Sequence, residues 1–401
     1  MNPLKKAYCR VYQTCFRIAM PFLPYRRPKH LDGIKEIPKA LRSEGIKSVL
    51  LITDASIRSF GITKPLEELL DKEGFKVTVY DKTVANPTNA NVEEALELYK
   101  ANNCGGLIGF GGGSSIDCAK AVGARAVKPN TPLSKMAGVM KVCRKIVPLF
   151  AIPTTAGTGS ETTVAAIITD EKTRHKYCIN SFPLIPKYAV LDPEVTRTLP
   201  PNLTATTGMD ALTHAVEAYI GRSTTKETRA DATEAVRLIF NNLEKAYKDG
   251  NDMEARKNML YASYLAGNAF TRSYVGYVHA VAHSLGGKYN VPHGLANAVL
   301  LPYVLIEYGE TAYKKLHELA IVAGLSNKED SDKEGTVKFV NAIWDMQKKL
   351  NVGCKISGIK EEDIDEMSGY ADKEGNPLYP VPKLMDKSEL RRFYYMVMEE
   401  E

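Results

Sequence analysis

The sequence predicts an α/β domain followed by an all-helical domain, and two patterns within its 401 residues support this. In the first half, short β-branched and apolar runs alternate with stretches of helical periodicity, which is typical of βαβ units with a parallel sheet. From about Leu203 onward nearly all apolar periodicity is helical. The step Leu199-Pro200-Pro201 marks the boundary, because proline disfavours helix in the residue before it. The expected divisions are an arm at 1–30, an α/β domain at 31–199 and a helical domain at 200–401.

The elements follow from these patterns in chain order. The predicted strands are Ile46–Thr53, Lys76–Tyr80, Gly105–Phe110 and Val147–Pro153. The predicted helices of the first half are Pro65–Gly74, Val92–Asn102 and Ile116–Val127. Those of the second half are Asp210–Ile220, Lys226–Lys248, Glu254–Phe270, Gly294–Tyr308 and Lys333–Leu350.

Composition excludes several classes of protein. With 44% apolar residues the chain is neither disordered nor fibrous, and a net charge of +6 spread over this length is weak evidence for a nucleic-acid partner, so none is expected. No segment reaches the ~18–20 apolar residues that span a bilayer. The seven cysteines are odd in number and contain no CxxC pair, which indicates reduced thiols and a cytoplasmic protein.

The segment from Met1 to Arg27 has a character of its own. Its basic residues alternate with aromatic and aliphatic ones, as in an amphipathic basic helix. Such a helix contacts a membrane or a targeting receptor, or it packs on its own protein or on a dimer mate. We expect packing, because charges interrupt the apolar residues and no small-residue cleavage site follows.

A glycine-rich loop follows the third predicted strand and opens a helix. In Gly109-Phe-Gly-Gly-Gly-Ser-Ser115 the glycines allow close approach of a phosphate, towards which the N–H groups of the helix start point. We expect Asp117 in the first turn, where the helix dipole favours a carboxylate. The match to GxGxxG is imperfect, since Ser114 replaces the last glycine, and a tight structural turn is an equally good interpretation.

Two further features favour a dinucleotide. The loop Pro153–Glu161 (PTTAGTGSE) follows another apolar strand and offers hydroxyls and glycines, although Ser/Thr-rich surface turns look similar. Asp54, at the end of the first predicted strand, is suited to accept both ribose hydroxyls and to repel a 2′-phosphate, which favours NAD over NADP. Asp54 fits the cap of the next helix equally well.

The helical half carries a pattern typical of a metal site. Asp210 and His214 are four residues apart, as are His279 and His283, so a helix places each pair on one face. His293 follows shortly after the second pair. Imidazoles together with a carboxylate suit Fe(II) or Zn(II) and suit Ca(II) or Mg(II) poorly. The alternative is an Asp–His ion pair with separate core histidines.

These motifs together resemble the iron-containing (group III) alcohol dehydrogenase family of the dehydroquinate synthase-like superfamily. The resemblance runs from about Ile46 to Pro302. It rests on GGGSSIDCAK (from Gly111), PTTAGTGSE, GMDALTHAVEAY (from Gly208) and HAVAHSLGGKYNVPHGLANAVLLP (from His279). It implies a Rossmann-like dinucleotide-binding α/β domain and an all-α metal-binding domain.

The resemblance also implies roles for particular residues. The implied metal ligands are Asp210, His214, His279 and His293. The residues implied around the diphosphate are Gly111, Gly112, Gly113, Ser114 and Asp117. The nicotinamide half is implied to meet Thr154, Thr155, Thr158 and Lys176. Asp54 matches an acid that accompanies NAD preference, and His283 is implied beside the metal as a non-ligand catalytic residue.

The implied activity is reversible hydride transfer between a small primary alcohol or diol and NAD, with Fe(II), or else Zn(II), polarising the substrate oxygen, in a homodimer. Alternatives within the superfamily are a polyol dehydrogenase and a dehydroquinate synthase-like lyase, for whose phosphate-bearing substrate only Lys288 and Arg272 are local candidates. A non-enzymatic alternative is a nucleotide-binding regulator. The chain departs from the family at Arg272 and Tyr274, where small or amide side chains are usual. We expect these residues to narrow the substrate pocket or to add a cationic contact.

Overall fold

The computed structural model describes residues 1–171 and 176–399. The chain forms two compact units by its internal contacts: Pro24–Leu199, and Met1–Leu23 together with the part from Pro200 onward. The N-terminal helix α1 (Pro3–Ala19) therefore belongs with the helical unit. Across the two described ranges, none of the helices combines the length and apolar character needed to cross a bilayer.

The first unit is built on a six-stranded parallel sheet. The described residues of this unit contain nine strands in two sheets. They are β1 (Lys29–Leu31), β2 (Ser48–Ile52), β3 (Lys76–Tyr80), β4 (Gly106–Gly111), β5 (Gly138–Val139), β6 (Leu149–Pro153), β7 (Ala165–Thr169), β8 (Lys176–Asn180) and β9 (Tyr188–Val190). The large sheet has the order β1-β9-β6-β4-β2-β3. A second sheet, β5-β8-β7, includes an antiparallel pair, β7 with β8, that the sequence patterns did not predict.

Helices cover both faces of the large sheet. They are α2 (Ile37–Ser43), α3 (Ala55–Ser59), α4 (Lys64–Lys72), α5 (Asn89–Ala101) and α6 (Gly113–Val127). Leu50 and Ile52 of β2 pack into the core that contains α5 and α6, whereas Val49 and Leu51 pack into the core that contains α4. Strands buried on both faces explain the continuous apolar runs in the sequence. The predicted α/β domain with a parallel sheet is confirmed.

The second unit contains α1 and nine further helices within the described residues. These are α7 (Pro201–Ile220), α8 (Lys226–Lys248), α9 (Met253–Ser273), α10 (Tyr277–Tyr289), α11 (His293–Tyr308), α12 (Tyr313–Val322), α13 (Asp332–Lys349), α14 (Glu361–Gly375) and α15 (Lys387–Val397). Every residue of α7 from Gly208 to Ile220 is buried, because α8, α9 and α11 pack around it. The predicted helical second half is confirmed.

Candidate metal centre and dinucleotide loops

Three of the predicted cofactor segments follow neighbouring strands. β2, β4 and β6 are adjacent and parallel, so their carboxyl ends lie at one edge of the sheet. Asp54 follows β2, the glycine loop follows β4, and Thr154 follows β6. Ligands of open parallel sheets bind at this edge.

The glycine loop has the geometry of an anion-binding turn. Gly111 has φ 152°, and a Cβ there would lie 2.5 Å from Ser115 Oγ, so only glycine fits. Gly112 is the N-cap of α6, and no side chain caps this helix end. The first N–H groups of α6 are thus left to a ligand. The hydroxyl of Ser114 accepts a hydrogen bond from Asn86 N at 3.3 Å.

The second loop lies against the first. Thr154 N donates to Gly111 O at 3.0 Å, and the side chain of Thr158 lies 3.3 Å from the position of a Cβ on Gly113. Within the described residues, Thr155 Oγ1 is buried without a hydrogen-bond partner. A buried orphaned hydroxyl beside a helix start is the kind of group that a polar ligand satisfies.

Asp54 serves the helix-cap role and also faces the glycine loop. Its Oδ1 accepts from Ser56 N and Ile57 N, each at 3.0 Å, which caps α3. Its Oδ2 lies 3.4 Å from the position that a Cβ on Gly111 would occupy. One carboxylate oxygen therefore caps the helix while the other lies at the phosphate loop.

Asp117 requires a correction. We expected Asp117 in the first turn of α6. Because α6 begins at Gly113, Asp117 instead lies beyond that turn. It accepts from Ser160 Oγ at 2.6 Å and from Ile167 N at 3.0 Å, and Lys120 Nζ lies 3.7 Å away. Asp117 thus fastens α6 to the second loop and to β7.

Lys176 belongs to the smaller sheet rather than to either loop. It begins β8 and pairs with Thr169 in the smaller sheet, and its side chain is exposed.

The four residues implied as metal ligands come together in the helical unit. α7 carries Asp210 and His214 on one face, α10 carries His279 near its start, and His293 is the first residue of α11. One possible ligand atom from each lies within 4.8 Å of all the others. Asp210, His214 and His279 are buried, and His293 is partly exposed. One carboxylate and three imidazoles, with three of the four residues buried, fit Fe(II) or Zn(II).

The amide of Asn297 marks the point where these ligand atoms converge. Its Nδ2 lies 2.7 Å from Asp210 Oδ1, 3.1 Å from His279 Nε2 and 3.0 Å from His293 Nε2. Three acceptor atoms therefore face one point, as a cation requires. Sequence reasoning missed Asn297, although its position four residues after His293 on a helix was an available signal.

The protonation states of the histidines suit metal binding. Burial lowers the pKa of His293 to about 4 and, with the neighbouring His214, His293 and His283, lowers the pKa of His279 well below its usual range. Both imidazoles are therefore neutral at pH 7. Neutral imidazole is the form that binds a metal.

Glu217 supports the cluster from behind. Its Oε2 accepts from His279 Nδ1 at 2.6 Å and from Gly276 N at 2.8 Å, and its Oε1 accepts from Val278 N at 2.8 Å. Burial raises the pKa of Glu217 to about 7, although the three hydrogen bonds with backbone N–H groups oppose the rise. Because Nδ1 is engaged by Glu217, the lone pair of His279 Nε2 faces the cluster and is available to a metal. We missed this residue, which lies three positions after His214 on the same helix.

His283 forms a second network beside the cluster. Its ring stacks on that of His293 with centroids 5.1 Å apart, and its Nδ1 lies 2.6 Å from Glu374 Oε1. Tyr379 Oη donates to the same Glu374 oxygen at 2.6 Å. Burial opposes charge on His283, but Glu374 outweighs it and raises the pKa of the imidazole. Neither Glu374 nor Tyr379 has a local sequence relation to His283, so the sequence offered no signal for them.

The two departures from the family pattern contact other parts of the helical unit. Arg272 forms an ion pair of 2.7 Å with Glu227 at the start of α8. The ring of Tyr274 meets that of Phe16 of α1 edge-on, with centroids 5.0 Å apart. The preceding Phe270 stacks on His214 at 4.1 Å and so covers one side of the cluster.

Comparison with known proteins matches both units to one family. The family model described as "Iron-containing alcohol dehydrogenase" matches residues 30–193, and the one described as "Fe-containing alcohol dehydrogenase family, C-terminal" matches 204–396. Alcohol dehydrogenase 4 of Saccharomyces cerevisiae (strain YJM789) is 40% identical over 84% of this chain and 88% of its own length. The NAD-dependent methanol dehydrogenase of Bacillus methanolicus is 36% identical over 87% of this chain and 92% of its own. A crystal structure of 1,3-propanediol oxidoreductase has a TM-score of 0.89 and 35% identity, covering 93% of this chain and 99% of that one.

Proposed function

Because the chain belongs to the iron-containing alcohol dehydrogenase family, we propose that it interconverts small primary alcohols or diols and their aldehydes, with NAD as the hydride carrier. Membership makes the protein an oxidoreductase that acts on alcohols. The observation that supports a metal-dependent reaction is the convergence of four possible ligand atoms, which lie within 4.8 Å of one another.

We assign metal binding to Asp210, His214, His279 and His293 in the helical domain, 200–401. An Fe(II) ion bound there, or Zn(II) in its place, would lower the pKa of an alcohol hydroxyl and polarise an aldehyde carbonyl. Glu217 holds His279 in the tautomer that offers Nε2. Phe270 excludes water from one side of His214 by stacking on its ring.

We assign to His283 the role of accepting and returning the hydroxyl proton of the substrate. Its Nδ1 is engaged by Glu374, which leaves Nε2 to accept the hydroxyl proton when the alcohol is oxidised. Glu374 stabilises the resulting imidazolium, and Tyr379 orients Glu374 through the 2.6 Å hydrogen bond. Aldehyde reduction returns the proton by the same atoms.

We assign the dinucleotide to the α/β domain, 31–199. The N–H groups at the start of α6, with Gly111, Gly112, Gly113 and Ser114, suit the diphosphate. Thr154, Thr155, Thr158 and Lys176 are assigned to the nicotinamide half, and Asp117 to holding the second loop. A free carboxylate oxygen on Asp54 favours NAD over NADP.

Two features favour this reaction over lyase chemistry on a phosphate-bearing substrate. Lys288 is paired with Asp363 at 2.8 Å and Glu366 at 2.9 Å, and Arg272 with Glu227 at 2.7 Å. Both cations that were candidates for a substrate phosphate thus have carboxylate partners. The relatives named for methanol and 1,3-propanediol support a small alcohol as substrate.

We also propose a reducing compartment, the cytoplasm. All seven cysteines lie within the described residues, and they form no disulfide there. Structural disulfides are the usual product of an oxidising compartment.

The test is metal reconstitution followed by turnover. The purified chain is stripped with a chelator, reloaded separately with Fe(II) and Zn(II), and assayed for NADH absorbance with NAD and a panel of primary alcohols and diols. His279→Ala and Asp210→Ala should lose bound metal, measured by elemental analysis, together with turnover. His30→Ala is the matched control, because His30 lies in β1, outside the cluster.

An active variant without metal would remove the ligand assignment. Full metal loading of the wild type with no turnover of any alcohol or aldehyde would instead refute the proposed reaction.

A further inference from the structure

The N-terminal helix lies outside the regions matched to the family, which begin at residue 30. One side of α1 is fixed to the helical unit. Lys5 Nζ binds Asp372 at 2.7 Å, and Arg10 Nη1 donates to Val381 O at 2.7 Å. Gln13 Nε2, which is buried, donates to Tyr379 O at 2.7 Å. The orientation of the helix is therefore defined by specific contacts.

Another side of α1 presents an apolar seam to solvent. The spacing of its residues alternates between four and three, the repeat of helices that pair along a narrow stripe. The seam consists of Leu4, Tyr8, Val11, Cys15, Ile18 and, in the 3₁₀ turn that follows α1, Phe22. All six side chains are exposed, from 60% for Tyr8 to 85% for Phe22 among the large ones.

The exposed area matches what a stable interface needs. The large seam residues and the neighbouring Tyr12 expose the equivalent of about four whole side chains. At the ~150–250 Å² that an aromatic side chain buries, an upper bound for the aliphatic ones, this amounts to at most roughly 600–1000 Å² per chain. A standard protein interface buries about 800 Å² per partner. Single scattered apolar residues would not reach this area.

The charges around α1 favour a protein partner over a lipid surface. The residues that flank the seam are uncharged: Ala7, Tyr12, Thr14 and Ala19. The basic residues Lys6, Arg10 and Arg17 lie on the other side of the helix, and Arg10 is engaged by backbone carbonyls. A helix that binds anionic headgroups needs free cations beside its apolar face.

We propose that the α1 seam is a dimerisation surface whose partner is the same seam of a second copy of this chain. The seam is self-complementary about its centre when the two helices run antiparallel. Leu4 then faces Phe22, Tyr8 faces Ile18 and Val11 faces Cys15 in the other copy, so larger residues meet smaller or flexible ones throughout. A two-fold axis makes both sides of such an interface identical.

The first test compares two valine variants of the full-length chain. Val11 is 63% exposed in the seam, and Val337 is 50% exposed on α13. Val11→Glu places two like-charged carboxylates in the interface and should weaken self-association by roughly 100-fold or more. At a concentration about ten times the wild-type dissociation constant, sedimentation velocity should therefore show a mostly dimeric wild type and a mostly monomeric variant. Val337→Glu should leave the mass unchanged. Equal masses for both variants and the wild type would refute the proposal.

The second test detects the contact directly. With Val11→Cys, mild oxidation should give a covalent dimer through Cys15 of the other copy on a non-reducing gel, and Cys15→Ser in the same chain should abolish it. Val337→Cys with Cys15 retained is the control for chance collisions. Failure of Val11→Cys to cross-link would overturn the assignment. It would also be overturned if the wild type sedimented with phosphatidylserine vesicles and Val11→Glu did not, because the seam would then bind lipid.

Discussion

At the scale of single residues, the candidate metal centre depends on groups that do not coordinate. Glu217 orients His279 through a 2.6 Å contact, and Glu374 does the same for His283 at 2.6 Å. In both cases a carboxylate binds Nδ1 and determines which ring nitrogen remains available. The same principle applies to Asp54, where one oxygen caps α3 and the other lies by the glycine loop.

We predict that Glu217→Gln weakens metal binding about 10–100-fold. The glutamine has only one acceptor oxygen, whereas Glu217 accepts from Gly276 N, Val278 N and His279 Nδ1. Competition with a chromophoric chelator gives the dissociation constant. Glu234→Gln is the control, because Glu234 is on α8 and pairs with Arg237. Unchanged affinity in Glu217→Gln would show that the contact does not position the ligand.

We predict that Asp54→Gly shifts coenzyme preference towards NADP. Loss of the carboxylate removes the repulsion of a 2′-phosphate, so the ratio of kcat/KM for NADP to that for NAD should rise about 10-fold, that is by ~1.4 kcal/mol. Asp54→Asn should raise the same ratio while it retains the helix cap, since asparagine is an equally good N-cap. If both variants keep the wild-type ratio, Asp54 has no part in coenzyme choice.

At the scale of elements, the cluster requires close approach of α7 and α11. A Cβ on Gly294 would lie only 2.6 Å from the backbone oxygen of Thr206 and 3.5 Å from Asp210 Cβ. This glycine therefore allows the start of α11, and with it His293, to reach the face of α7 that carries Asp210. A backbone atom cannot yield as a flexible side chain can.

We predict that Gly294→Ala lowers the free energy of unfolding by about 1–3 kcal/mol and weakens metal retention, because α11 must move away from α7. Gly287→Ala in α10 is the matched control. Its Cβ would meet no atom within 4 Å, so replacing a helical glycine there should stabilise the protein by up to ~1 kcal/mol. Urea unfolding and elemental analysis measure both effects. Equal behaviour of the two variants would contradict the steric argument.

Most elements were predictable, and the exceptions have physical causes. Strand β3 and helix α8 match their predicted limits, since each has a clear period and clear ends. Helix α7 begins nine residues before Asp210, at Pro201, because its packing partners stabilise a stretch whose own pattern is weak. The pair β7–β8 was missed because its pairing partner, not its local sequence, makes it a sheet.

At the scale of the whole molecule, buried charge couples stability to pH. Glu161 is 1% exposed, and within the described residues neither of its carboxylate oxygens has a hydrogen-bond partner. Burial raises the pKa of Glu161 to about 7. In the unfolded chain the group releases its proton near pH ~4.3. The folded state therefore binds more protons between these values, and its stability falls as the pH rises through this window.

We predict that Glu161→Gln raises Tm at pH 8.5 but not at pH 5. The glutamine carries no charge at either pH, whereas the wild type loses about 2–3 kcal/mol relative to it across this range. Thermal unfolding over a pH series measures the difference. Glu254→Gln on exposed α9 surface should show no such dependence. A pH-independent difference in Tm would mean that Glu161 has the same pKa in the folded and the unfolded chain.

The sequence by itself determined the fold class, the two glycine- and hydroxyl-rich loops, and the pairs of side chains that share a helix face. These are local properties, since spacing along a chain decides which residues lie on one side of a helix or follow one strand. Only the tertiary structure decided that Asp210 and His293 approach each other, that Glu217 holds His279, and that Glu374, which accepts from Tyr379, reaches His283. Such contacts join residues of different helices that are far apart in the sequence, 91 positions in the case of His283 and Glu374. They depend on how the buried side chains between those helices pack.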